Sequence, residues 1–387
     1  MKKVLIILLI VVISSLSLFL VKKYLVSDNI NDDTKHNDDS PTTIKKYELF
    51  ENYYLEASKE LEKMSLEEKV GQLFLVRYDR DSAIYEVSNY NPGGYILFAK
   101  DFQDQTKDSI RSEIDNLQKL SKIPLVMAVD EEGGYVTRVS RFKNFRSEKF
   151  PSPRSVYDQG GYPLLEEVER EKARLLLSIG INLNLAPVAD VSTDPNDFIY
   201  NRSFGMDATE TKEFIKNMVT YANEEKISSC LKHFPGYGNN KDTHNAIVYD
   251  NRSYDNFTSS DYLPFESGID SLVPAILVSH NIVNCIDDVY PASLSEKVIS
   301  ELRNKLNFSG IVITDDLAMG AVRDYATNGI ASVLAINAGN DLIITSDFVN
   351  MYNEVLNAVN NKEIDIVKID TAVKRILAWK IAYNMKG

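Results

Sequence analysis

Eight short apolar runs punctuate the chain after residue 70. They are GQLFLVRY (71–78), GGYILFA (93–99), PLVMAVD (124–130), INLNLAPV (181–188), SSCLKHF (228–234), PAILVSH (274–280), GIVITD (310–315) and DLIIT (341–345). Apolar residues follow one another in these runs with little alternation, as in strands buried on both faces. Segments of helical character separate most of them, for example TKEFIKNMVTYANEEK (211–226) and SEKVISELRNKL (295–306). Ser65 and Glu68 in MSLEEKVGQLF have the spacing of a capping box that starts a helix. Strand–helix alternation predicts a parallel sheet, and eight repeats predict an α/β fold of the TIM-type (β/α)8 barrel kind. The spacer between the first two runs is short for a crossover helix, so an irregular unit is expected there. The segment IDTAVKRILAWKIAYNM (369–385) reads as a closing amphipathic helix whose stripe is core.

The N-terminal pattern is different. VLIILLIVVISSLSLFLV (4–21) carries no charge and is flanked by lysines at both ends. A cleavable signal core has about 7–15 apolar residues and a membrane span about 20. Residues 1–24 are therefore expected to be a signal-anchor or a signal peptide, with the anchor favoured, although Ser15 and Ser17 offer a small-x-small pattern. No cysteine lies nearby, which excludes a lipoprotein anchor. The segment VSDNINDDTKHNDDSPTTIKK (26–46) is too poor in apolar residues to offset its ordering entropy. The expected organisation is an anchor or signal over 1–24, a disordered linker over 25–48 and a single catalytic domain over 49–387. Such a leader places the domain on the extracellular side of the membrane, anchored or secreted.

Composition narrows the partners. Hydrophobic residues are 44% and charged residues 26% of the 387, ordinary for a globular chain. A net charge of −13 excludes a nucleic-acid partner, since phosphate binding needs a basic face. Cys230 and Cys285 are the only cysteines, so no disulfide framework exists, and both are expected to be buried free thiols. The sequence leaves the oligomeric state open, and a monomer is expected.

In a (β/α)8 barrel the chemistry sits where strands end. Six of the eight runs end on polar groups: Asp130, Asp190, Lys232 with His233, His280, Asp315 with Asp316, and Ser346 with Asp347. Their convergence on one mouth is the family-independent sign of an enzyme. A metal site could draw on His233, Asp242, His244 and His280, but no H-E-x-x-H or C-x-x-C spacing is present, and no metal or cofactor is expected. Ser-His-Asp acyl transfer lacks its G-x-S-x-G elbow. Carboxylate chemistry on a sugar needs a nucleophile and a separate acid/base. Asp242 and His244, one residue apart, suit the second role, because an aspartate can orient an imidazole and stabilise its cation.

The loop KHFPGYGNNKDTH (232–244) resembles the KHFPGHG…DSH loop of family 3 glycoside hydrolases of the β-N-acetylglucosaminidase branch. VDEEGGYVTR (129–138) resembles that family's D-x-E-G-G-x-V-x-R, and NLNLAPVADV (182–191) and YNRSFG (200–205) match its next blocks. SLSEKVISELRNKLNFSGIVITDDLAMGAV (293–322) is similar to its nucleophile block. The resemblance implies a TIM barrel in which Asp315 is the nucleophile, His244 the general acid/base and Asp242 its dyad partner. It implies that Asp130, Arg138, Arg202, Lys232 and His233 bind the hydroxyls and N-acetyl group of the sugar. Tyr237 departs from the family, which usually has His there, and the loop is one residue shorter than its common form. The chain ends soon after the eighth run, so no second domain is expected to supply a proton donor, which favours N-acetylglucosaminides over glucosides. The implied activity is that of a retaining exo-β-N-acetylglucosaminidase acting on peptidoglycan fragments (muropeptides) or chito-oligosaccharides through a covalent glycosyl-enzyme intermediate. Phosphorolysis by a β-N-acetylglucosaminide phosphorylase, and a non-catalytic cell-wall-binding role, stay open as alternatives.

Overall fold

Each of the eight apolar runs contains a parallel strand in a computed structural model that describes residues 48–242, 247–319, 322, 325 and 330–385. The strands are β1 (Phe74–Arg77), β2 (Gly94–Leu97), β3 (Val126–Val129), β4 (Leu183–Asn184), β5 (Ser228–Phe234), β6 (Ala275–Val278), β7 (Ile311–Thr314) and β8 (Ile343–Thr345). They pair in sequence order, and β8 returns to pair with β1. A parallel bridge from Ile313 to Leu342, with the Thr314 amide on the Leu342 carbonyl at 3.0 Å, brings β7 to the β8 segment and closes the ring. The protein is a TIM-type barrel. Every residue of β2 to β7 is buried, which is why these stretches read as unbroken apolar runs.

Helices wrap the outside. Ala208–Glu224 and Glu296–Ser300 fall where the helical patterns place them, the second running on into a wider turn at Glu301–Lys305. The short spacer between β1 and β2 holds one helix of 8 residues, Ala83–Tyr90, closed by Asn91 in the left-handed region. Ser65 accepts from the Glu68 amide and Glu68 accepts from the Ser65 amide, so the capping box forms as its spacing predicts. The closing helix Ile366–Ala382 packs on Tyr54–Leu61.

Cys230 is buried, but Cys285 is exposed, because it follows a short outer strand (Ile282–Val283) and not a barrel strand; the two thiols are free. Among the described residues no helix is long and apolar enough to cross a membrane. The apolar run at 4–21, the polar segment after it and His244 lie outside the described residues.

The end of the barrel away from the strand C-termini contains a buried amine. Lys380 of the closing helix is 3% exposed and donates to Gln72 Oε1 at 2.7 Å and to the Gly93 carbonyl at 2.8 Å. Burial pushes it down to about 7, because its two partners are neutral acceptors. The sign of the consequence follows from proton linkage. Between about pH 7 and the ordinary lysine value the unfolded chain binds the extra proton, so stability rises with pH through that window, by up to about 1.4 kcal/mol per unit. Denaturant unfolding of Lys380→Met at pH 7, 8 and 9 is expected to lose that part of the slope; an unchanged slope would mean that the amine stays charged in the fold.

Candidate active site

A cavity of about 290 Å3 opens at the C-terminal ends of the strands. Every strand or the turn after it supplies lining, from Arg77 of β1 and Phe98 after β2 to Asp315 and Asp316 after β7 and Ile344 of β8. A second hollow of about 380 Å3 adjoins Arg303, Asp341 and Arg375, beside the segment that leads into β8. The first is the candidate site, because TIM barrels place their chemistry where strands end.

One wall of the cavity is a buried ion network. Lys232 lies near the end of β5, and its ammonium contacts Asp130 Oδ1 at 2.7 Å and Glu132 Oε1 at 2.6 Å. Arg202 grips the same Glu132 through Nη2 at 2.8 Å and Nε at 3.1 Å. Burial alone would raise the Glu132 carboxyl, but the two cations beside it outweigh that and hold it well below the usual carboxylate range. Burial likewise opposes the Lys232 charge, and Asp130 and Glu132 more than restore it. Arg138 reaches Asp130 Oδ2 at 3.9 Å.

The turn after β3 is built to aim these groups. Glu131 points away from the cavity and accepts from the Arg138 and Val139 amides, both at 2.7 Å, fixing the stretch that carries Arg138. Gly133 follows with φ +100°, and a Cβ there would stand 2.4 Å from the Pro151 carbonyl. A glycine is required at such a turn.

His233 sits in this network as a neutral ring. Its Nδ1 lies 2.7 Å from Asp190 Oδ2, and its Nε2 lies 3.2 Å from Arg202 Nη2. A guanidinium only donates, so Nε2 accepts and the ring proton is on Nδ1, donated to Asp190. Asp190 is buried and also accepts from the His233 amide at 3.1 Å and the Tyr237 amide at 2.7 Å. Tyr237, at the family's usual histidine position, meets the His233 ring edge-on at 5.1 Å. Three carboxylates (Asp130, Glu132, Asp190) thus face three cations (Arg138, Arg202, Lys232).

Asp315 follows β7, its amide bonded to the Val278 carbonyl at 3.0 Å, and its half-buried side chain lines the cavity. Asp316 is turned into its own backbone, accepting from the Ala318 amide at 2.9 Å. Burial pushes the Asp316 carboxyl up, and the neighbouring Asp315 charge adds to this. His280 Nε2 lies 3.1 Å from the Asp316 carbonyl and its Nδ1 lies 2.7 Å from Ser293 Oγ. A carbonyl only accepts, so Nε2 carries the proton and the ring braces the turn that holds Asp315 and Asp316.

The loop after β5 leaves the cavity at Gly236, whose φ is +121° and whose Cβ would lie 2.3 Å from Asp261 Oδ1. Arg252 ties the base of this loop together. It donates to the Gly236 carbonyl at 2.9 Å, to Asp250 Oδ2 at 2.7 Å and to Asp261 at 3.0 Å. Asp242 lies on the loop, half-buried and outside the cavity lining. His244 lies outside the described residues.

The structure thus gathers Asp130, Arg138, Arg202, Lys232, His233 and Asp315 around one cavity. Glu132, the carboxylate shared by two of the cations, was not singled out from the sequence, although the paired acids of VDEEGG were its signal. Arg77 and Phe98 escaped notice too, because a single arginine and phenylalanine at strand ends look like any others. Among the described residues no group of three or more His, Cys, Asp or Glu side chains is arranged to hold a metal ion.

The glycosyl hydrolase family 3 N-terminal domain matches residues 65–379. Beta-hexosaminidase A of Pseudoalteromonas piscicida is 29% identical over 276 residues, which are 67% of this chain and 46% of that protein. The chain therefore spans about half the length of that relative. Beta-hexosaminidase LpqI of Mycobacterium tuberculosis is 28% identical over 330 residues, 82% of this chain and 83% of that protein. The solved structure of a family 3 β-N-acetylglucosaminidase from a Paenibacillus species superposes with a TM-score of 0.78 at 27% identity, covering 83% of this chain and 63% of that one.

The ion network carries its own prediction. Glu132→Gln leaves Lys232 and Arg202 short of a buried counter-charge, which costs about 3–5 kcal/mol when one partner of a buried pair is removed. A carboxyl held below its ordinary value stabilises the fold above about pH 4.5 and loses that effect as pH falls toward the folded value. Urea unfolding is therefore expected to show wild type losing stability from pH 6 to pH 4 more steeply than Glu132→Gln; parallel curves would contradict the assignment.

Proposed function

We propose, from the premise that this chain belongs to glycosyl hydrolase family 3, that it is a retaining exo-β-N-acetylglucosaminidase. The observation that carries the reading is one cavity at the strand C-termini, lined by Asp315 on one side and by Asp130, Lys232, Arg202 and His233 on the other. The names of the β-hexosaminidase relatives and of the β-N-acetylglucosaminidase structure support it.

In this reading the sugar at the non-reducing end enters the cavity with its hydroxyls and N-acetyl group on Asp130, Arg138, Arg202, Lys232 and His233. The network is already charge-paired, so these groups are held in place before the sugar arrives, and little ordering is left for binding. The Asp315 carboxylate attacks the anomeric carbon as the bond to the leaving oxygen breaks, forming a glycosyl ester. A proton donor serves the leaving oxygen, then takes a proton from the water that cleaves the ester and frees Asp315.

The chain has four histidines, and two of them are committed elsewhere. His233 donates to Asp190 and accepts from Arg202, and His280 braces the turn at Asp316. His36 belongs to the polar N-terminal segment. His244 is left as the donor, with Asp242 as its orienting partner. Muropeptides are the proposed substrates, on the reading that the apolar N-terminal run is a leader that exports the domain to where cell-wall fragments arise.

Asp315→Ala and His244→Ala separate the two roles. Asp315→Ala is expected to lose roughly 10³-fold or more in turnover on both 4-nitrophenyl β-N-acetylglucosaminide and N,N′-diacetylchitobiose. His244→Ala is expected to lose about 10²–10⁴-fold on the disaccharide and distinctly less on the nitrophenyl glycoside, whose leaving group needs no proton. Near-normal turnover by a folded Asp315→Ala would overturn the nucleophile assignment. Equal losses by His244→Ala on both substrates would overturn the acid role.

A further inference from the structure

Asp242 and His244 belong to the segment 237–249 after β5, and one side chain binds both of its ends. Arg252 Nη2 donates to the Gly236 carbonyl at 2.9 Å, just before the segment, and to Asp250 Oδ2 at 2.7 Å, just after it. Its Nε reaches both Asp250 oxygens at 3.1 Å, and its Nη1 reaches both Asp261 oxygens at 3.0 Å. Every nitrogen of the guanidinium is engaged, and the group lies over the Phe257 ring at 4.5 Å. Asp250 and Asp261 are buried, and among the described residues no other cation is ion-paired with either.

The backbone is shaped to this arginine. Gly238 has φ +52°, and a Cβ there would stand 2.2 Å from Arg252 Nη1. Gly236 makes the matching room for Asp261. Both glycines of the PGYG turn therefore allow the close approach of the Arg252–Asp261 pair. Asn240 adds a tie of its own, donating through Nδ2 to the Tyr237 carbonyl at 2.9 Å and to Asp250 Oδ2 at 2.6 Å. The far end is stitched to the chain after β6, where the Asn284 amide donates to the Asp250 carbonyl at 3.0 Å. The sugar-binding wall is braced by other means. Lys232, Asp130, Glu132, Arg202 and His233 hold one another, and Asp190 holds His233 and the Tyr237 amide. The hydrogen bonds of the Arg252 side chain go to Gly236, Asp250 and Asp261, none of which lines the cavity.

Resting on the glycosidase reading above, we propose that Arg252 is a positioning residue for proton transfer: by joining Gly236 to Asp250 it fixes the two ends between which the chain presents Asp242 and His244. A planar guanidinium meets three acceptors at once in a set geometry, which an ammonium on a flexible stem does not. Holding both ends restricts the conformations open to the segment between them. The arginine acts on the proton donor and leaves sugar binding and attack by Asp315 to the separately braced wall and turn.

The test disturbs the clamp in two ways in the full chain. Arg252→Lys keeps a cation beside the two buried acids but removes the fork. Gly238→Ala keeps Arg252 and displaces its guanidinium with the added Cβ, and it carries the same comparison if Arg252→Lys does not fold. The readout is kcat/KM on N,N′-diacetylchitobiose and on 4-nitrophenyl β-N-acetylglucosaminide, each measured also in a His244→Ala background. A donor misplaced by about 1 Å is expected to cost roughly 10–10²-fold on the disaccharide and distinctly less on the nitrophenyl glycoside, whose leaving group needs no proton. In the His244→Ala background the same substitution is expected to cost nothing further on the disaccharide, because the proton transfer is already lost. Equal losses on both substrates, or the full loss repeated in the His244→Ala background, would overturn the proposal and leave Arg252 as a support of the fold alone. Equal losses by His244→Ala itself on the two substrates would overturn the acid role on which the proposal rests, so the two failures are told apart.

Discussion

A lysine buried at the end of β5 organises the barrel mouth. Lys232 touches Asp130 and Glu132 at once, and a desolvated ammonium is tolerated only where its counter-charges are held against it. That requirement reaches outward. Glu132 must stay ionised, so Arg202 closes on its other oxygen. Arg202 then fixes the tautomer of His233, and His233 in turn needs the buried Asp190. The chain of contacts passes from the turn after β3 to β5 and on to the turn after β4. Those are successive elements of the ring, so the barrel supplies the spacing that the charges need.

The same network bears on the proposal that this wall holds a sugar. Its cations and carboxylates are largely spent on one another, leaving oriented donors and acceptors without a large free charge. Hydroxyls and an amide are the partners such a surface prefers. Two features stand apart from this balance. Asp315 enters from the opposite side, on a turn braced by His280. Arg77 keeps an unspent donor beside an aromatic ring.

Most of the barrel was legible because burial on both faces removes polar alternation, and eight such runs have few other solutions. The strand ends were legible for the same reason: Asp130, Lys232, His233 and Asp315 interrupt apolar stretches at their C-terminal edges. Glu132 was not legible as the centre of the network. Its importance comes from two cations, Lys232 and Arg202, that lie 100 and 70 residues away in sequence. Arg77 was hidden differently: its place in the cavity lining comes from β1 ending beside Phe98, and a lone arginine at a strand end carries no signal in a sequence. Cys285 was misjudged because the chain turns outward just after the buried Ile282 and Val283, leaving Asn284 and Cys285 exposed.

The account turns on Asp315 forming a bond with the sugar. A fluorinated N-acetylglucosaminyl fluoride that forms the ester quickly and loses it slowly, followed by proteolysis and mass spectrometry, reads that bond directly. The predicted result is one added ring-fluorinated N-acetylglucosaminyl unit on the peptide that contains Asp315, fragmenting to place it on that residue and not on Asp316. A label on any other side chain would contradict the account. So would rapid turnover of the reagent with release of inverted product and no labelled peptide.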